Sequence, residues 1–167
     1  SYAGITDSTT LNFTTADVGD PTLSSSSPAD GATGVAVDAN IVLTFSEAVD
    51  VESGNIVIKK SSDDSTVETI DVTGSLVTGT GTTEITINPS TTLDGETSYY
   101  ITIADTAFDD DSSNSYAGIT DSTTLNFTTA DVGDPTLSSS TPADGATGVA
   151  VDANIVLTFS EAVDVES

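Results

Sequence analysis

Residues 1–53 recur as residues 115–167 with one change, Ser27 to Thr141. The offset between the two copies is 114 residues. A period this long is the length of a whole domain, not of a solenoid unit, so the chain reads as a tandem array. The copied stretch contains its own boundary. Asp17-Val-Gly-Asp20-Pro21 follows an alternating run and closes it, because Pro21 cannot donate to a ladder and Gly19 permits a bend. Residues 1–19 are therefore expected to be the C-terminal strand of a preceding repeat. Residues 20–131 are expected to be one complete domain, and residues 132–167 the N-terminal strands of a following repeat. Copies this similar imply recent duplication and a longer parent array.

Within residues 20–131 the apolar side chains alternate with period two, and no window of helical period occurs. The expected strands are 22–26, 41–45, 55–60, 66–72, 84–88, 98–104 and 123–129. Ile41, Leu43, Phe45, Ile56, Ile58, Ile85, Ile87, Tyr99, Ile101, Leu125 and Phe127 are expected to face inward. Residues 46–54, 74–81 and 105–118 read as loops. Seven short strands with frequent turn residues predict an all-β, Ig-like antiparallel sandwich. Leu93-Asp-Gly95-Glu-Thr-Ser-Tyr99 adds the spacing of a tyrosine corner, in which the hydroxyl bonds upstream backbone.

Charge narrows the function. Lys59 and Lys60 are the only bases against 27 acids, for a net charge of −25. Each 114-residue period carries 19 acids and two lysines. Nucleic acid and anionic membrane surfaces are excluded as partners, since both need cations. The chain has no Cys, Met, Trp or His. Zinc, copper and haem lose their usual ligands, and a disulfide scaffold is ruled out. Stability must come from the core, from bound ions, or from both.

Antiparallel topology gathers the acids at one pole, where the chain enters and where the second-to-third, fourth-to-fifth and sixth-to-seventh strand connections lie. Asp17 and Asp20 arrive there from the linker, Glu47, Asp50 and Glu52 from residues 46–54, and Asp105, Asp109, Asp110 and Asp111 from residues 105–118. Asp131, Asp134, Glu161, Asp164 and Glu166 repeat the linker and first-loop members. Two like charges ~4 Å apart repel by about 4 kcal/mol at an effective dielectric near 20, so such a cluster needs wide spacing or a cation. Calcium takes six to eight oxygens from carboxylates, carbonyls and water, while magnesium keeps its waters, so calcium is the expected cofactor. The spacing is neither that of an EF-hand nor that of a nonapeptide repeat. A solvated acidic loop is the plain alternative. Asp30, Asp38, Asp63, Asp64, Asp94 and Glu96, at the other pole, occupy turn positions where acids are common.

Catalysis is not expected, because paired carboxylates alone make no glycosidase without a cleft. Tyr100 and Tyr116, both expected to be exposed, make a thin platform for carbohydrate. A lysine–asparagine cross-link would require Lys59 or Lys60 to face inward. The glycosylation pattern at Asn126-Phe-Thr128 lies inside a strand.

PADGATGVAVDANIVLTFSEAV (28–49), LDGETSYYITI (93–103) with the Asp-rich loop behind it, and the closing LNFTT (125–129) together resemble the bacterial Ig-like domains of the SbsA/Big_5 type. These occur in tandem in large secreted adhesins and surface-layer proteins. The chain departs from them at 105–114, which is longer and more acidic than the family's short Asp-Gly-Asn turn. The resemblance implies a non-enzymatic extracellular spacer at a cell surface or in a secreted protein, with neighbouring repeats as end-to-end partners and, in several members, calcium. The alternative is a self-assembling surface-layer or filament subunit with lateral contacts between copies, which should bury on the order of 1,000 Å² or more between chains.

Overall fold

A computed structural model describes residues 4–6, 8, 9 and 11–164. It divides into two compact units, the first ending at Asp131 and the second beginning at Val132.

The first unit is a sandwich of two sheets. One sheet contains β1 (Leu23–Ser27), β3 (Ile41–Val51), β7 (Thr82–Ile87) and β6 (Val77–Thr78), in that order, with β9 (Phe108–Asp109) paired to the far end of β3. The other runs β2 (Ala32–Val35), β10 (Asn126–Thr129), β8 (Ser98–Ile103), β4 (Asn55–Lys60) and β5 (Thr66–Asp71). All eleven expected core residues are buried between the sheets, joined by Val49, Ile70, Val72, Ile103, Phe108, Tyr116 and Ile119. The alternation sets this directly, since each inward residue on a pleated strand is followed by an outward one. The tyrosine corner is present: the Asp94 backbone N–H donates to the Tyr99 hydroxyl at 2.9 Å.

Three short strands lie outside the expected set. β2 was hidden by its turn residues, and its parallel pairing with β10 is a long-range contact that no local pattern signals. β6 sits inside the Gly/Thr-rich segment 74–81. There Gly79, at φ 108°, lies so close to Glu84 that an added Cβ would be 2.1 Å from its carbonyl oxygen. β9 lies inside the stretch read as the longest loop, where Phe108 and Tyr116 are both buried. The segment read as an acidic loop, 46–54, is also corrected. β3 continues to Val51, because Val49 returns to the core after a register shift that follows Thr44. The last strand lies within the expected 123–129 but is shorter, beginning at Asn126.

Tyr100 and Tyr116 are buried, against expectation, each 6% exposed. The Tyr100 hydroxyl donates to Asp64 at 3.0 Å, and the Lys59 ammonium lies 5.9 Å from its ring centre. Neither tyrosine offers a carbohydrate platform. Neither lysine is buried, since Lys60 forms an ion pair with Asp94 at the surface. Asn126 holds its amide against Asp30 at 2.8 Å.

Residues 11–19 form no strand, and Leu11 and Phe13 are exposed, whereas the identical Leu125 and Phe127 are buried. The second unit pairs β11 (Leu137–Thr141) with β12 (Val156–Phe159) in the register of β1 and β3 displaced by one period. Ile155 and Leu157 are exposed there, though their copies Ile41 and Leu43 are buried. The strand pair is local, but the core is not. In the first unit it is completed by residues 55–129, of which 55–114 occur once in the sequence and 115–129 repeat residues 1–15.

Candidate metal site

The entry end of the first unit is built on the second half of β3. Ser46 holds the incoming chain: its N–H donates to the Thr22 carbonyl at 2.9 Å, and its hydroxyl accepts from the Thr22 N–H at 3.0 Å. The register shift between Thr44 and Val49 lifts the intervening residues off the β7 ladder. Glu47 is thereby left half-buried, facing the segment that carries Asp17.

The third participant comes from the Asp-rich loop. Aromatic packing fixes that loop to β3: the Phe45 ring lies 5.4 Å from Phe108 and 5.1 Å from Tyr116, centre to centre. Edge-to-face contacts of this kind favour one orientation of the rings. Immediately beyond β9, Asp110 is only 6% exposed. Its carboxylate accepts from the Ser112 and Asn114 backbone N–H groups and from the Asn114 side-chain amide, all at 2.8 Å. These bonds hold its pKa below the ordinary aspartate value, led by the Asn114 side chain and then the Asn114 backbone. The carboxylate is thus fixed in place by three hydrogen bonds that favour its charged form.

Asp17, Glu47 and Asp110 each bring a carboxylate oxygen within 4.8 Å of the other two. Among the described residues this is the group of three acids that converges. Glu47 records the crowding. Its pKa is raised by loss of water contact first, then by the charges of Asp17 and Asp110, a side-chain hydrogen bond with Asp17, and the charge of Asp20. The geometry suits a shared cation. Two oxygens bound to one calcium at about 2.3–2.6 Å cannot lie more than roughly 5 Å apart. The donors are hard carboxylates, and both lysines lie elsewhere, on β4.

The other candidates distribute around this group. Asp20 is close enough to act on Glu47 through its charge. Asp50 and Asp109 stand opposite one another across the β3–β9 ladder, and Asp50 also accepts from the Thr80 hydroxyl at 3.0 Å. Glu52 joins the loop through its backbone N–H, bonded to Ala107. Asp105 and Asp111 are exposed. Asp131 and Glu161 are the copies of Asp17 and Glu47, but the copy of Asp110 would fall beyond Ser167. Asp134 and Asp164 are exposed, and Glu166 lies outside the described residues. Composition pointed to the crowded pole. Which three acids converge depends on the β3 irregularity and on β9, neither of which leaves a local pattern.

A family model for the bacterial Ig-like domain matches residues 17–129 and again 131–167. The chain belongs to the bacterial Ig-like domain family. Comparison with curated proteins finds no match. Bacterial Ig-like domains are typically non-catalytic and are generally found in surface or extracellular proteins. In this bacterial Ig-like domain the converging acids belong to the segment leading in, the central strand and the loop before the last strand.

Proposed function

We propose that the chain is part of a non-enzymatic extracellular spacer, in which calcium at the entry end of each domain stiffens the array of a surface adhesin. One observation carries this reading: Asp17, in the linker sequence, lies with Glu47 and Asp110 of the following domain within 4.8 Å. An ion bound by all three ties the linker to the domain body. Without the ion, three carboxylates on three segments repel, and Gly19 leaves the linker free to bend. Calcium fits better than magnesium because the site offers irregularly placed oxygens rather than an octahedron of water. The net charge of −25 keeps such an array soluble and self-repelling along its sides.

Extracellular modules bind calcium at roughly 10⁻⁴–10⁻³ M. At a hundredfold excess, one site adds about 2.7 kcal/mol to stability. Thermal unfolding should therefore shift upward in calcium relative to EDTA at matched ionic strength. Glu47→Gln should lose most of that shift. Coincident curves in calcium and in EDTA would remove the ion from the proposal.

A further inference from the structure

We propose that the first unit is a load-bearing module whose two terminal strands are locked against tension applied along the chain. The chain enters beside Ser46, where Thr22 is bonded in both directions. It leaves at the opposite end of the sandwich, where the Ala130 N–H donates to the Val35 carbonyl at 2.7 Å and the Glu96 N–H donates to the Ala130 carbonyl at 3.1 Å. β1 lies antiparallel against β3, with Leu23 opposite Phe45 and Ser27 opposite Val42. β10 lies parallel to β2 and antiparallel to β8. Pulling the two ends apart therefore slides β1 along β3, and β10 along both β2 and β8. Ladder bonds run across the strands, so sliding loads all of them together, whereas prising a strand pair open from one end breaks them singly.

A side-chain lock reinforces the last strand. The Asp30 carboxylate, on the turn between β1 and β2, accepts from the Asn126 backbone N–H at 3.1 Å and from its side-chain amide at 2.8 Å. The Gly31 N–H donates to the Asn126 carbonyl at 2.8 Å. Three bonds thus tie the first residue of β10 to a segment 95 or 96 positions earlier in the chain. At the other end of the same strand, the Thr129 hydroxyl donates to the Asp94 carbonyl at 2.6 Å and accepts from the Thr97 N–H at 3.0 Å. Asp30 thereby gains a role beyond that of an ordinary turn residue.

The inference rests on the spacer reading for the direction of load, since tension enters through both ends only in a link of a longer chain. It does not depend on calcium. The test is single-molecule stretching of the full chain. One arrangement has handles at the two chain ends. The other has handles at Ser53→Cys and Thr73→Cys, which prise β5 from β4 at their open end. With handles at the chain ends, unfolding of the first unit is recognised by release of about 350 Å of chain; with handles at residues 53 and 73, opening of the β4–β5 hairpin releases at most about 70 Å. End-to-end pulling should need a several-fold higher force than prising. Asp30→Ala should lower the end-to-end force. Glu68→Gln, which weakens the clamp on Ser90 and Thr91 away from the loaded strands, should lower the melting temperature and leave that force unchanged. Equal forces in the two arrangements, or an end-to-end force indifferent to Asp30→Ala, would overturn the lock. Repeating the runs in calcium and EDTA separates the proposals. A force that depends on pulling direction but not on calcium upholds the lock even where melting shows no bound ion.

Discussion

Phe45 joins the core to the candidate site. It is 3% exposed, and its ring contacts both Phe108 and Tyr116. Phe45→Ala should cost about 3–5 kcal/mol in chemical denaturation, because the cavity would open between strand and loop. A loss below about 1 kcal/mol would mean that the inward register is wrong. A second residue contributes to the acid limb of stability. The Asp121 carboxylate accepts from the N–H and hydroxyl groups of both Thr123 and Thr124, and its pKa falls from 3.8 to about 2. A depressed folded value means that the unfolded chain binds the proton more readily. The stabilisation is present above the ordinary aspartate range and is lost as pH falls through the folded value. Asp121→Asn should therefore flatten the melting temperature against pH over this window. An acid limb identical to that of the parent chain would show that these bonds contribute nothing.

At the scale of elements, legibility followed the range of the interaction. β4 was readable to the residue, because Asn55–Lys60 carries its own alternation and is flanked by turn residues. β3 was read only to Phe45, because Glu47 and Asp50 have the composition of a loop while Val49 restores the inward pattern one irregularity later. β2 and β9 are defined by partners distant in the chain, and β6 is a two-residue strand paired with its neighbour β7, too short to show a period. The same limit governed the site. Asp17, Glu47 and Asp110 were all among the acids singled out from composition and topology, but their convergence required the aromatic packing of β9 on β3. The β6–β7 connection offers a test at this scale. Gly79→Ala would force a methyl group against the Glu84 carbonyl at a backbone angle that L-residues avoid. It should destabilise the unit by at least about 2 kcal/mol, the usual range for a strained backbone position. Unfolding unchanged in denaturant would show that the turn relaxes freely.

For the molecule as a whole, burial and charge divide the work. The apolar core stabilises each complete sandwich, as the contrast between buried Ile41 and exposed Ile155 makes plain. The surface carries almost unrelieved negative charge, and screening over about 8 Å at physiological ionic strength weakens repulsion without fixing any angle between domains. A cation that bonds linker and domain together can fix one. The most direct measurement is small-angle scattering from a chain of several complete repeats, in calcium and in EDTA at matched ionic strength. A calcium-held linker predicts a longer, narrower distribution of distances in calcium, and loss of that response when the Asp17 position of each repeat is changed to Ala. A maximum dimension unchanged by calcium, or a calcium response that survives the Asp17→Ala change, would contradict it.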